Sequence, residues 1–359
     1  MSRIRVVIAE DSLTVRKRLV EIVSADPELE LVGEAADGKE AIELVRRHKP
    51  DVLSMDMMMP LMTGLAATEY IMAHFPTPIL VVSASINRGE LFRTYDALAA
   101  GAVDVIEKFT GDGNDEQWGK DYLTTLKLVS RIRVITHPRG RLIAIPPATS
   151  APAAPGAPAL LREAQKYSVA AIGASTGGPG AILDVLNGLP DSFSLPILFV
   201  LHISEPFGTA FADWLDGQTA RRVSYAKEGE LVSASAGRVV MAPPGQHLSV
   251  RDGRLRLSLE AERHSCRPSV DVLFESLARD YGPAACAVLL TGMGRDGAAG
   301  LLKMRQAGAL TVAQDEASSV IYGMPREAAL LGAATHILPL FEIGPFLGRV
   351  PASPMGQRR

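Results

Sequence analysis

IRVVIAEDS, residues 4–12, is the stretch on which the fold turns: a short apolar run rich in β-branched residues that stops on two acids. Such a run, bounded at once by charge, is a buried strand. Val15, Leu19, Ile22 and Val23 follow at helical spacing, and the alternation then continues. Strands are predicted at 31–35, Val52–Asp56, Ile79–Ser83 and 103–107, and helices at 39–48, 64–75 and 90–100. A fifth helix is marked by Tyr122, Leu126 and Val129. Alternating units of this kind imply an α/β fold with a doubly wound, mostly parallel sheet. Ligands bind such sheets at the carboxyl ends of the strands.

The residues at those ends are chemical ones. Strand one ends in Glu10 and Asp11, strand three in Asp56, strand four in Ser83, and strand five runs into Lys108. Three carboxylates brought to one point repel each other unless a cation neutralises them, and oxygen-only ligands suit Mg²⁺. A hydroxyl and an ammonium beside them complement a phosphoryl group placed on one carboxylate. Any one of these residues could merely end a strand; all of them on the right strands is a site.

The alternation breaks at residues 145–160, IPPATSAPAAPGAPAL, where five Pro and six Ala leave no periodic face. That is the composition of an extended, semi-rigid spacer, and 359 residues suit two domains at about 150 each. The division expected is 1–125, a 126–164 helix end and linker, and 165–350. With 37 Lys plus Arg against 40 Asp plus Glu there is no basic field to steer nucleic acid or hold an anionic membrane. Two cysteines give no disulfide framework, and no apolar stretch nears the ~20 residues of a spanning helix. Acids follow the first apolar run too closely for a signal peptide, so a cytoplasmic protein without membrane insertion is expected.

After the spacer, the apolar run 169–173 leads into GASTGGPG at 173–180 and then a helix. Ser175 occupies the middle glycine position of a dinucleotide fingerprint, and no Lys completes a phosphate loop. What survives is G-x-S-x-G, the sharp strand-to-helix turn that exposes a serine. Of seven His, only His202 directly follows a strongly apolar strand, 196–201. A third strand, 285–290, runs into a glycine-rich loop holding Asp296, which could orient an imidazole or simply cap the helix after Gly297. The order Ser175, His202, Asp296 differs from the Ser, acid, His order of α/β-hydrolases, which would require His336 as base. The constellation therefore reads as an independent triad on a Rossmann-like, mostly parallel sheet.

Two resemblances follow from the motifs. IAEDS at 8–12, MDMMMP at 55–60, TG at 63–64, VVSAS at 81–85 and GAVDVIEK at 101–108 resemble a response-regulator receiver domain over residues 1 to about 125. The resemblance implies that Asp56 accepts a phosphoryl group. It implies Mg²⁺ held by Asp11, Asp56 and the Met58 carbonyl, with Glu10 acting through water. Ser83 and Lys108 would contact phosphoryl oxygens. Val105 stands where an aromatic residue is common, and Phe109 where proline usually follows the lysine. These departures bear on the switch and not on the phosphorylation chemistry.

IGASTGGP at 172–179, LHI at 201–203, APPGQHL at 242–248, RPSVDVLFESLA at 267–278, LLTGMGRDGA at 289–298, AQDE at 313–316 and YGMPREA at 322–328 resemble the catalytic domain of chemotaxis protein-glutamate methylesterases. Leu201 replaces the glutamine common before the histidine. The implied activity is a phosphorylation-gated hydrolysis of glutamate methyl esters on chemoreceptors, with deamidation of receptor glutamines. A histidine kinase would be the phosphodonor, and ester hydrolysis would need no cofactor. Ser175, His202 and Asp296 are the expected catalytic residues. Backbone amides of the turn through Thr176, Gly177 and Gly178 would supply the oxyanion donors, with Met293 and Gly294 lining the site. A DNA-binding regulator would need a basic helix-turn-helix, which 161–359 lack, and a silent binding module would not need the triad.

Overall fold

The computed structural model describes residues 3–84, 87–109, 115–132, 134, 166–203 and 205–352. The Pro/Ala-rich stretch 145–160 lies outside the described residues. The chain divides into two compact units, Met1–Arg141 and Leu142–Arg359.

In the first unit β1 (Ile4–Ala9), α1 (Leu13–Ala25), β2 (Leu29–Ala35), α2 (Gly38–His48), β3 (Val52–Asp56), α3 (Gly64–His74), β4 (Ile79–Ser83), α4 (Arg88–Ala99), β5 (Asp104–Glu107) and α5 (Asp115–Val129) alternate as the sequence predicts. Their sheet has the order β2-β1-β3-β4-β5 with every pairing parallel. The chain moves to one side of β1 for β2 and to the other for β3, so a crevice opens where their carboxyl ends diverge. Val6, Val7, Ile8, Leu53 and Met55 are fully buried, each removing apolar surface worth roughly 1.5–3 kcal/mol from water.

The second unit contains β6 (Val169–Ala174), α6 (Gly178–Asn187), β7 (Ile197–Leu201), α7 (Phe211–Gln218), β8 (Val223–Tyr225) and β9 (Val239–Met241). After β10 (His247–Arg251) and β11 (Arg254–Ser258) come α8 (Val270–Asp280), β12 (Ala285–Leu289), α9 (Ala298–Gln306), β13 (Leu310–Gln314), α10 (Met324–Leu330), β14 (His336–Leu338) and α11 (Leu340–Gly348). Seven strands form one sheet in the order β14-β13-β12-β6-β7-β9-β8. It is wholly parallel, where the sequence led us to expect mostly parallel pairing. Every residue of β6, β7, β12 and β13 is buried, as strands covered on both faces must be. Strands β10 and β11 stand apart as an antiparallel hairpin turning on Asp252 and Gly253, φ 53° and 68°. Those left-handed values are the ones a two-residue hairpin turn needs. The chain passes from β6 outward to β7 and β9, then returns to the other side of β6 for β12, creating a second switch point. Among the described residues, no helix is long and apolar enough to cross a membrane.

Candidate functional site

In the first unit the expected acids converge. Oxygen atoms of Glu10, Asp11 and Asp56 lie within 4.8 Å of one another. Lys108 Nζ reaches in from the end of β5, 2.8 Å from Glu10 Oε2 and 3.1 Å from Asp56 Oδ2. Glu10 and Asp56 are buried and Asp11 is exposed. Burial pushes the Glu10 pKa up to about 7, helped by the Asp56 charge and opposed by Lys108. Burial likewise raises Asp56, more than Lys108 lowers it. Glu10 Oε2 and Asp56 Oδ2 are buried without a well-directed hydrogen bond, so one lysine does not satisfy the pair. Buried, under-satisfied oxygens with no nitrogen or sulfur among them are what a hard divalent cation requires. Ser83 Oγ sits buried at the end of β4, accepting from Thr94 Oγ1 at 3.0 Å. Met58 is partly exposed, with Sδ held by Arg93 at 2.7 Å. Val105 is buried in β5, and the Phe109 ring lies 5.8 Å from that of Trp118.

The second site is assembled by sheet register. Ala174 of β6 pairs with Leu201 of β7, so Ser175 and His202 are the next residues on adjacent strands. His202 N donates to Ala174 O at 3.0 Å, and Ser175 N donates to Thr291 O, beyond the end of β12, also at 3.0 Å. Gly177, at φ +77°, turns the chain into α6, and a Cβ there would come within 2.6 Å of Val320. Gly292 lies against Ser175, where an added Cβ would stand 2.8 Å from the serine Cβ. A side chain at either place would displace the serine turn.

His202 Nε2 lies 2.9 Å from Asp296 Oδ2, and the second ring nitrogen, Nδ1, faces Cys266 Sγ at 3.7 Å. Asp296 does more than orient the imidazole. Its carboxylate accepts from Ser269 Oγ at 2.8 Å, Val270 N at 2.7 Å and Asp271 N at 3.1 Å. It therefore caps α8, whereas α9, the helix after Gly297, has no side-chain cap. Burial would raise the Asp296 pKa, but His202, Ser269 and the Val270 amide together lower it. Burial would lower the His202 pKa; the Asp296 hydrogen bond, then Cys266, push it up to about 9. Among the described residues no hydrogen bond joins the half-buried Ser175 hydroxyl to His202. With Nε2 held by Asp296, Nδ1 is the nitrogen left to receive a proton.

The serine turn consumes part of its own donors. Gly178 N donates to Ser175 O at 2.7 Å, which removes it, with Ser175 N, from the amides that could face an oxyanion. Thr176 O accepts from Thr291 Oγ1 at 3.0 Å. Gly177 N remains. Met293 is exposed beside this loop. His336 opens β14 at the sheet edge, three strands from β6 and at the amino end of its strand, so the α/β-hydrolase order has no base here. Its ring lies 4.9 Å from that of Phe346. Cys266 and Ser269 escaped sequence reading, although Ser269 lies within the RPSVDVLFESLA motif. His247, from APPGQHL, is a buried structural residue: Nδ1 accepts from Ser269 N at 3.1 Å and Nε2 lies 3.1 Å from Ala261 O.

Comparison with known proteins bears on the whole chain. A family model described as CheB methylesterase matches residues 170–347, and one described as response regulator receiver domain matches residues 6–114. A Nitrosospira multiformis protein named protein-glutamate methylesterase/protein-glutamine glutaminase is 40% identical over 352 residues, 97% of each chain. A Pseudomonas aeruginosa protein of the same name, numbered 2, is 44% identical over 346 residues, 95% of each. The solved Thermotoga maritima CheB methylesterase catalytic domain is 33% identical with TM-score 0.48, the match covering 51% of this chain and 97% of that one. The response regulator domain of Thermotoga maritima CheB is 34% identical with TM-score 0.34, over 36% of this chain and 98% of that one. Relatives at 40% identity and above, aligned across nearly the whole of both chains, leave one assignment: the chain belongs to the receiver-linked CheB methylesterase family.

Proposed function

We propose that the chain is a phosphorylation-regulated serine esterase that hydrolyses glutamate methyl esters on chemoreceptors, and deamidates receptor glutamines, in chemotactic adaptation. The observation that supports this most is the meeting of Ser175, His202 and Asp296 beyond the carboxyl ends of three neighbouring parallel strands. Ser175 Oγ attacks the ester carbonyl carbon while His202 takes its proton on Nδ1. Asp296 stabilises the imidazolium so formed, and Gly177 N faces the developing oxyanion. Collapse expels methanol, which leaves with the proton from His202. Water then attacks the acyl-enzyme and gives a proton to His202, which passes it to the departing Ser175 Oγ, so that the receptor keeps a free glutamyl carboxyl group. A glutamine amide follows the same course with ammonia as leaving group. No cofactor enters these steps.

In the receiver, Asp56 attacks a phosphoryl group carried by a chemotaxis histidine kinase, and Lys108 and Ser83 contact the transferred oxygens. Glu10, Asp11, Asp56 and the Met58 carbonyl fit Mg²⁺, which when bound supplies the positive charge that a phosphorylated carboxylate needs among acids. Methylated receptors are the substrate, and the protein acts in the cytoplasm without inserting in a membrane or binding nucleic acid.

Methanol release from a methyl-esterified receptor peptide tests the reading. Ser175→Ala should lose about four orders of magnitude or more, because nucleophile and base act as one unit. Near-normal release by that variant would remove Ser175 as the nucleophile. Asp56→Asn should abolish the stimulation that a small-molecule phosphodonor gives the intact chain.

A further inference from the structure

We propose that Arg295 determines specificity: its guanidinium binds a carboxylate flanking the scissile ester, so that the enzyme prefers esters set among acidic residues. This rests on the reading that Ser175 and His202 cleave the ester.

The loop from Gly292 to Asp296 is pinned to the triad at both ends. Gly292 packs on the serine, where an added Cβ would stand 2.8 Å from Ser175 Cβ, and Asp296 Oδ2 lies 2.9 Å from His202 Nε2. Arg295 is exposed, three residues from the first anchor and one from the second. With successive Cα atoms about 3.8 Å apart, its Cα lies within about 11 Å of that of Gly292. It also lies on the side of the base that takes the proton. Arg295 Nε donates to His264 Nδ1 at 3.3 Å, and His264 O accepts from Cys266 Sγ at 3.4 Å. Cys266 Sγ in turn faces His202 Nδ1 at 3.7 Å.

Two features set Arg295 apart from an ordinary surface arginine. The first is that it is held. An arginine Nε only donates, so His264 Nδ1 accepts and the ring hydrogen belongs on Nε2, which faces Asp271 Oδ2 at 3.1 Å. Asp271 is fully buried, and its other oxygen accepts from Gly300 N at 2.6 Å. Neither His264 nor Asp271 takes part in ester cleavage. Orienting Arg295 gives this buried carboxylate and its imidazole a purpose, and a guanidinium already oriented loses less freedom on binding.

The second feature is charge. Arg263 makes two bonds of 2.7 Å to Glu275, which also accepts from Lys303 at 2.7 Å. Arg267 Nη1 donates to the carbonyls of Leu259 and Glu260. Among the described residues no carboxylate forms an ion pair with Arg295, and its bond to His264 occupies Nε alone. The two terminal nitrogens remain, and they present the fork that takes a carboxylate by two parallel hydrogen bonds. A methyl ester is neutral and offers that fork no charge. The anion it fits is therefore a carboxylate beside the ester.

Binding can be read apart from chemistry, because Ser175→Ala in the intact chain should hold an ester uncut. Two labelled methyl-ester peptides serve as probes, one with acidic residues within about four positions of the ester and one with serine in their place. With a small-molecule phosphodonor present, the acidic peptide should bind about five- to tenfold tighter, between the worth of an exposed ion pair and that of a charged hydrogen bond. The advantage should shrink as salt is added. Arg295→Ala in the same background should bring the ratio to about one, Arg295→Lys should keep part of it, and Arg295→Glu should invert it. With Ser175 intact, the preference should appear in KM, with kcat alike for the two peptides. Equal affinity for both peptides, or a ratio that survives Arg295→Ala, would overturn the assignment. A ratio that depends on Arg295, with neither peptide hydrolysed by the intact chain, would leave the recognition standing and strike out the esterase reading.

Discussion

Both units put carboxylates at the carboxyl ends of a parallel sheet, and they treat them in opposite ways. Asp56 and Asp296 are both buried, and burial pulls both toward the protonated form. Asp56 shares its site with two more acids and one lysine, and its pKa stays raised. Asp296 takes four hydrogen bonds, two of them from amides opening α8, and its pKa falls. A carboxylate whose charge is already answered by dipoles and an imidazole can hold that imidazole in place. One left under-satisfied among acids is prepared for a cation and a phosphoryl group.

The same change made in each unit tests the contrast most severely. Asp296→Asn should lower kcat for ester hydrolysis by about 10³–10⁴-fold, because imidazole orientation and imidazolium stabilisation go together. A loss under tenfold would mean that Asp296 is only a helix cap. The pH profile is the next largest effect. His202 must be neutral to accept a proton, and its pKa is pushed up to about 9. Activity should therefore climb with pH, by about tenfold per unit from pH 7, and level off once His202 has titrated. Cys266→Ala should move that limb to lower pH, since Cys266 is one of the contacts that raises it. A profile already flat from pH 6 would contradict the strength of the His202–Asp296 pairing.

Stability should separate the two aspartates in sign. Asp296→Asn should destabilise the second unit by about 1–3 kcal/mol, the usual cost of disrupting a buried hydrogen-bond network. Asp56→Asn should leave the first unit as stable or more so in metal-free buffer, because one of three crowded charges is gone. Calorimetric scans of the intact variants would show both. His202 adds its own signature. A histidine whose folded pKa is raised stabilises fully below its ordinary value near 6.5 and loses that contribution as pH rises through about 9. The smallest expected effect is that of Ser269→Ala, which should lower kcat two- to tenfold, the worth of about one hydrogen bond, with KM unmoved. An altered KM instead would place Ser269 in substrate binding.

The sequence made legible what lies at strand ends. Ser175, His202, Asp296 and the receiver acids all follow apolar runs, and a parallel sheet brings such positions together whatever their separation along the chain. Cys266 and Ser269 lie between a hairpin and a helix, where no period marks a position as facing the site. The sequence offers Asp296 as the partner of an imidazole, with the cap of the helix after Gly297 as the alternative; the helix it does cap, besides meeting His202, precedes it by 26 residues at Val270. Only the tertiary packing of α8 on α9 reveals that. The hairpin, by contrast, carried its signal openly. Leu248, Val250, Leu255 and Leu257 alternate about Asp252-Gly253, a two-residue turn pattern that a reading fixed on strand ends passes over.

The wholly parallel order of the second sheet also sets a schedule. Ser175 and His202 become neighbours once β7 can dock on β6, when a little over half the chain has been made, but β12 must lie against β6 before Asp296 can reach the imidazole. Asp296 follows His202 by 94 residues. At a ribosomal pace of about 5–20 residues per second, that is roughly 5–20 s of elongation. For that interval the nascent chain holds a serine and a histidine side by side with nothing to orient the ring. Long-range parallel pairing is slow to close as well. A chain of this build cannot bring Asp296 to His202 until most of its length has been made, so the last contact of the site is also among the last the chain can form.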